Sequence, residues 1–493
     1  MEISVAERDT VRTEAARLLV DGVLRPAAGG REYPDVDPST GEVFAWCPDA
    51  AVADADEAVR AARRAFDEST WRCDPAARAD RLRRFLAALE DDREVLRALL
   101  VREAGVPVRL TRSVLLDAVF AELASICDLL DRFPWHGRLR DQSFHGFTSA
   151  REVLEEPVGV VALLTPANFP VTLLLRDLFL ALAAGNAVVV KPSPHVPLVA
   201  LEVARVAAAS ADLPPGVLNV VTGRDGAGLG LYLAGHALVD LVGVTGSTAT
   251  GRAVARAAAP KRLVAHLGGN GGHVVLDDAD PGAVAAAGAR VCFHAGQACS
   301  LFKRLIVPRA RLGDAVEAVR AAMASVPAGD PRDPGVAVGP VVSAELRDGV
   351  LAFAAAVREA GGAVRHGGRV PAGCPSGFFV EPTLVAGLPW TADLLRHELP
   401  GPVLAVLPYD SEDEAVAIAN DPPYGLTAAV SGSPERAAAV ARRLRAGAVT
   451  VNDGLPHGPD SPHQGMRGSG AAHAGGEAAL RDYLTTKVVG FPG

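Results

Sequence analysis

The chain has 493 residues, 49% of them apolar and 22% charged, with a formal net charge of -9. That length exceeds one ordinary core, so two or three packed domains are expected, and the balance is globular rather than disordered. The acidic sum argues against a nucleic-acid surface, and the polar, acidic start MEISVAERDT is not a secretion signal.

Across about 51–133 apolar residues recur at helical spacing, as in Leu82, Phe85, Leu86 and Leu89. Residues 139–157 are polar and predict an exposed hairpin. A continuous apolar run at 160–164 predicts a buried strand. The surrounding stretch 158–175 is broken by Pro166, Asn168 and Pro170, so it reads as strand then helix, with no membrane span. Further strands are predicted at 187–190, 218–221 and 241–244, with helices from Pro170 and from about Pro197. Strands alternating with helices of this length imply a parallel α/β sheet. The alternation resumes after Gly268, with strands near 273–276 and 305–307, so a second α/β domain is expected. The tail TTKVVGF reads as an edge strand for pairing with another subunit.

The cysteines, Cys47, Cys73, Cys127, Cys292, Cys299 and Cys374, are scattered without CxxC pairs. That pattern predicts neither a zinc site nor a disulfide framework, and points to a reducing, cytoplasmic setting. Lysine occurs only at Lys191, Lys261, Lys303 and Lys487, so a position that keeps it in this arginine-rich chain is a candidate for a specific role.

Four segments carry chemistry. In Phe293-His294-Ala295-Gly296-Gln297-Ala298-Cys299 a small-residue turn presents a cysteine after a predicted helix. A soft nucleophile with donors beside it suits covalent attack on a carbonyl; a lone cysteine is otherwise a buried structural thiol, the reading kept for Cys292. Leu164-Thr165-Pro166-Ala167-Asn168-Phe169-Pro170 lies past a strand's carboxyl end, where α/β sheets bind ligands. Asn168 there is either an oxyanion donor or a turn residue. Val190-Lys191-Pro192-Ser193 occupies a second strand end. Val244-Thr245-Gly246-Ser247-Thr248-Ala249-Thr250-Gly251 opens a helix with glycines and hydroxyls, which fits either a pyrophosphate site or an ordinary N-cap. Gly226-Ala227-Gly228-Leu229-Gly230 lacks dinucleotide fingerprint spacing and carries little weight.

Taken in order, these segments resemble the NAD(P)-dependent aldehyde dehydrogenase superfamily from about Tyr33 to Val489. The resemblance extends to Glu156-Pro157-Val158-Gly159-Val160, LGGN at 267–270, Glu398-Leu399-Pro400-Gly401-Pro402-Val403, YGLTAAV at 424–430 and Val451-Asn452. It implies an α/β fold: two α/β domains with Rossmann-like parallel sheets plus a small β oligomerisation arm. Residues 1–138 and 158–266 would form the cofactor-binding domain, 267–470 the catalytic domain, and 139–157 with 471–493 the arm. It implies that Cys299 is the nucleophile and that Asn168 and the Cys299 N–H form the oxyanion hole. The cofactor, NAD with NADP possible, would meet Thr165, Pro166, Ala167, Lys191, Ser193, Gly246, Ser247, Leu267 and Glu398. Among these, Lys191 would reach the adenosine ribose, Ser247 the pyrophosphate and Glu398 the nicotinamide ribose. The aldehyde would meet Phe169, Leu173, Arg176, Ser300 and His457, with His294, Leu455 and His463 beside them. The expected partners are a small aldehyde and further copies of the chain, as a homodimer or homotetramer, with no nucleic acid, membrane or metal.

Two departures stand out. The family's glutamate base immediately before LGG is replaced by His266, and a second glutamate is missing from Gly470-Ala471-Ala472-His473. Histidine, with an ordinary pKa of about 6.5, can serve as the base. The alternatives are acyl transfer to a non-water acceptor such as coenzyme A, or a non-catalytic binding protein. The glutamate that NAD-preferring members often carry three residues after the lysine is Pro194 here, so no carboxylate repels a 2′-phosphate. Arg176 lies eight residues, just over two helical turns, beyond Asn168, and would grip a substrate carboxylate or else pair with Asp177.

Overall fold

The apolar run Val160–Leu164 is buried at every position, as a strand covered by helices on both faces must be. Its side chains alternate between two cores. Val161 and Leu163 join Leu82, Phe85 and Leu89 on one face. Val160, Ala162 and Leu164 join Ala55, Ala58 and Val59 on the other. A computed structural model of the chain describes residues 16–224, 228–374 and 376–492. The start MEISVAERDT and the glycine-rich residues Gly226 and Ala227 lie outside the described residues.

The chain begins with the short strands β1 (Leu18–Val20) and β2 (Val23–Arg25) and the ribbon β3 (Glu32–Asp37) and β4 (Glu42–Pro48). Helices then run to Arg132, followed by the hairpin β5 (His136–Phe144) and β6 (Phe147–Pro157). The first α/β run supplies β7 (Val160–Leu164), β8 (Ala187–Lys191), β9 (Leu218–Val220), β10 (Leu241–Thr245) and β11 (Arg262–His266). The second supplies β12 (Gly271–Val275), β13 (Phe302–Pro308), β14 (Ala363–His366), β15 (Thr383–Ala386), β16 (Val403–Tyr409), β17 (Thr427–Ser431) and β18 (Ala448–Val451). The last strand is β19 (Leu484–Pro492).

Two seven-stranded sheets result, ordered β11-β10-β7-β8-β9-β1-β2 and β14-β15-β16-β13-β12-β17-β18. The first is parallel from β11 to β9, and β1 and β2 extend it antiparallel. The second is parallel except for β14. The chain changes sheet between His266 and Gly271.

The tail forms a strand as expected: on one side β19 pairs antiparallel with β6 from Leu484–Pro157 to Pro492–Ser149. Charge matches this register: Lys487 Nζ bonds Glu156 at 2.6 Å, and Arg481 pairs with Glu155. The sheet order β19-β6-β5 leaves β19 at the edge. No described helix is long and apolar enough to cross a membrane. All the cysteines are free thiols, and no described group of His, Cys, Asp and Glu is placed to hold a metal ion.

Candidate active site

Topology locates the site. The chain runs β7 to β8 to β9 in one direction, then crosses to β10 and β11 on the other side of β7. Such a reversal opens a crevice at the carboxyl ends of the strands flanking it. Thr165 to Phe169 follow β7, Lys191 ends β8, Gly246 and Ser247 follow β10, and His266 ends β11. The second sheet meets the crevice with the segments entering its strands: Gly268 and Gly269 before β12, Cys299 before β13 and Glu398 before β16.

Cys299 is held by a strained turn. His294 and Ala295 adopt left-handed backbone, φ 47° and 49°, and Gly296 follows at 71°. Left-handed conformations are costly for the first two, and such strain collects at functional sites. At Gly296 a side chain would overlap the Gly401 and Pro402 backbone. Gln297 braces the turn: its Nε2 donates to His294 O at 3.1 Å and its Oε1 accepts from Val342 N at 2.9 Å. Asn168 Nδ2 donates to Gln297 O at 2.7 Å, which places the asparagine amide on the nucleophile's own loop. Burial pushes the Cys299 thiol up to about 11, aided by Glu398; Arg176 and the backbone N–H groups of Cys299 and Ser300 oppose this. The resting sulfur is therefore a thiol that needs a base. Cys292 is structural, buried, with its sulfur on Gly288 O at 3.4 Å.

The cofactor positions line one groove. Ser247 Oγ caps the helix Thr248–Ala258 by accepting from Thr250 N at 3.1 Å. The remaining N–H groups of that turn suit an anion such as pyrophosphate. Thr165 and Lys191 are buried, while Pro166, Ala167, Ser193 and Leu267 are half-buried and border the open side. Thr165 N bonds Lys191 O at 3.2 Å, and Gly246 N bonds His266 O at 3.1 Å. The paired glycines of LGG have separate duties: a Cβ on Gly268 would overlap the Glu398 carboxylate, and one on Gly269 the Cys299 carbonyl. Burial raises the pKa of Glu398, with Lys303 opposing. A helix start for phosphates, a lysine at a strand end and a carboxylate for ribose hydroxyls fit a nicotinamide dinucleotide.

The substrate positions divide. Phe169 packs edge-on against the His294 ring, with centroids 5.6 Å apart, and Leu173 is half-buried on the same helix, Pro170–Ala184. Arg176 faces the reacting centre, close enough to act electrostatically on Cys299, His266 and His463. Its Nε pairs with Asp177 Oδ1 at 3.0 Å, and its Nη2 has no partner among the described residues. Ser300 is exposed, with its carbonyl accepting from Thr427 Oγ1 at 2.9 Å. His457 meets His463 edge-on, centroids 4.5 Å apart, and it is His463 that acts electrostatically with Arg176 and on His266. Leu455 is 80% exposed. A separate cavity of about 380 Å³ is lined by Glu122, Arg132, Leu180, Asp460 and Glu477 among others.

Burial lowers the His266 pKa to about 4, with Arg176 adding to the effect and Asp177 opposing it. The imidazole is therefore neutral near pH 7, the form a base requires. Two further residues support the site. His294, expected as a pocket wall, turns inward and bonds Asn168 O through Nε2 at 2.6 Å. Lys303 Nζ binds Gly296 O at 2.6 Å and also Gly401 O, tying the Cys299 turn to the Glu398 loop.

Known proteins resemble this chain over nearly its whole length. The model of the aldehyde dehydrogenase family matches residues 25–489. The chain is 37% identical to aminoacetaldehyde dehydrogenase of Pseudomonas aeruginosa, covering 92% of this chain and 91% of that protein. It is 34% identical to 3-succinoylsemialdehyde-pyridine dehydrogenase of a Pseudomonas species, covering 96% and 98%. Among solved structures it resembles aldehyde dehydrogenase C of Pseudomonas syringae bound to NAD+ and octanal. That match has a TM-score of 0.90 and 32% identity, covering 97% of each chain.

Proposed function

This chain belongs to the aldehyde dehydrogenase family, an oxidoreductase acting on aldehydes, and we propose that it converts its aldehyde to a carboxylic acid with NAD+. The observation that carries this reading is Asn168 hydrogen-bonded to the braced loop of Cys299, with a neutral His266 at the adjoining strand end. In this reading Cys299 Sγ attacks the carbonyl carbon, and the Asn168 amide and Cys299 N–H receive the oxyanion. Lys191 would hold the adenosine ribose of the dinucleotide, Ser247 its pyrophosphate and Glu398 its nicotinamide ribose, and the bound nicotinamide would supply the hydride acceptor. The thioester left on Cys299 is opened by water, with His266 taking the proton.

Three outcomes are expected. With His266→Ala, a first turnover of NADH should persist while steady-state rate falls on the order of 10²-fold, the usual worth of a general base. Rapid-mixing progress curves check this, and a parent that stalls until a thiol or phosphate is added would favour acyl transfer. With Pro194→Glu, the ratio of NADP to NAD dissociation constants should rise about tenfold, because a carboxylate beside a 2′-phosphate repels it. Equilibrium titration reads that ratio. The parent's missing carboxylate fits NAD use with NADP tolerated.

Substrate choice rests on Arg176. Its unpartnered Nη2 beside the nucleophile suits an aldehyde with a short anionic tail. Arg176→Leu should cost an anionic aldehyde about 2 kcal/mol in kcat/KM and spare a neutral one of equal length. A second reading draws on the outer cavity, where Glu122, Asp460 and Glu477 outnumber Arg132 and would suit an ammonium tail, as on the aminoaldehydes that name several relatives. Preference for the ammonium substrate in the same assay would select it. The exposed Val488 and Phe491 on the open edge strand β19 support a homo-oligomer, and the free thiols support the cytoplasm.

A further inference from the structure

His266 ends β11 in register with Thr245 of β10. Its backbone is pinned on both sides, with His266 O accepting from Gly246 N and Leu267 N donating to Ser469 O. The ring is not pinned. It has no hydrogen-bond partner among the described residues, and 16% of the side chain stays open. Its Nε2 stands 3.9 Å from Asp177 Oδ1. That is too long for a hydrogen bond, yet a small turn of either side chain closes it, and catalytic contacts are often long before substrate binds.

Asp177 is the better fixed of the two. It is buried on the helix Pro170–Ala184, with a side chain only 5% exposed. Arg176 Nε holds Oδ1 at 3.0 Å, and Thr245 Oγ1 stands 3.5 Å from Oδ2. The helix and both strands thus converge on one carboxylate beside the imidazole. The other charged groups that face the ring are Arg176, His463 and His473, which all disfavour its protonated form. His473 is itself engaged, with Nδ1 3.1 Å from Asp482 Oδ1. Asp177 is the anion among the described residues whose charge favours the protonated ring.

We propose that Asp177 is a positioning residue for His266, forming a carboxylate–imidazole pair in which the aspartate orients the base that opens the thioester. The inference rests on the reading of His266 as base. Asp177 accepts the Nε2–H and so fixes the tautomer, leaving Nδ1 as proton acceptor. Water oxygen bonds the thioester carbon while its proton passes to Nδ1. The C–S bond then breaks, the electron pair leaves with Cys299 sulfur, and the proton is returned to sulfur or solvent. The carboxylate stabilises the imidazolium during this interval, as the third member of other base-assisted sites does.

The test is a cycle of Asp177→Asn, His266→Ala and the double variant, with Asp177→Glu as the conservative control. Each is assayed by rapid mixing with saturating aldehyde and NAD+. Asp177→Asn should keep the NADH burst and KM within about twofold and lower steady-state kcat about tenfold or more. Asp177→Glu should recover much of that loss. In the His266→Ala background the asparagine should add no further loss beyond about twofold, since the two residues act as one unit. Equal losses in both backgrounds overturn the inference while leaving the base reading intact. So does a fallen burst with unchanged deacylation. Parental turnover in His266→Ala overturns the base reading, and this inference with it. If Asp177→Asn fails to fold, judged by melting and NAD+ binding, Asp177→Ser takes its place in the same cycle, and unchanged kcat in a folded Asp177→Ser variant overturns the pairing.

Discussion

Cys299→Ala should abolish aldehyde-dependent NADH formation, by on the order of 10⁴-fold or more, while NAD+ affinity and melting temperature stay near the parent values. The size of the loss follows from the route. Hydride can leave only after the aldehyde carbon becomes tetrahedral, and the sulfur is the group that makes it so. The wild-type thiol is pushed up to about 11, so the nucleophile has to be generated at that sulfur by a base. Cys292 does not substitute, because it is buried against Gly288 and pushed up to about 12. Little stability is lost, since Cys299 is half-buried and its loop is braced by Gln297 and Lys303. A Cys292→Ala control should reverse the pattern, lowering the melting temperature and sparing turnover.

Asn168→Ala should lower kcat on the order of 10²- to 10³-fold, the worth of one oxyanion donor in a water-poor site. The burst should fall together with the steady state, because the amide acts at every tetrahedral stage. That separates it from His266→Ala, which should slow only the later step. The structure shows why the amide is so placed: one N–H is spent on Gln297 O, and His294 holds the residue's carbonyl from the other side. Stopped-flow traces of both variants against the parent check the distinction.

How far these features could be read in advance depended on the physics behind each. The run at 160–164 was legible because a strand covered on both faces needs apolar residues throughout, and alternation between two cores then follows. The strands β1 and β2 were not, since three residues each carry no period. Lysine scarcity was a usable signal: Lys303 ties two site loops together, Lys261 bonds the Ala234 and His236 carbonyls, and Lys487 pairs with Glu156. His294 was misplaced as a pocket wall because nothing in its residue type announces a left-handed backbone, and it is that conformation that turns the ring onto Asn168. Asp177 looked like the ion-pair partner of Arg176, which it is. Its approach to His266 depends on how a helix and two strands converge, and sequence spacing holds no record of that.

The most direct test of the account is the mass of the protein during turnover. His266→Ala is mixed with aldehyde and NAD+, quenched in acid at the end of the burst, and measured intact and after peptide mapping. The account predicts one acyl increment per active chain, located on the Cys299 peptide, dependent on NAD+ and absent from the His266→Ala, Cys299→Ala double variant. A full NADH burst with unmodified protein, or an acyl group on any other residue, would contradict it.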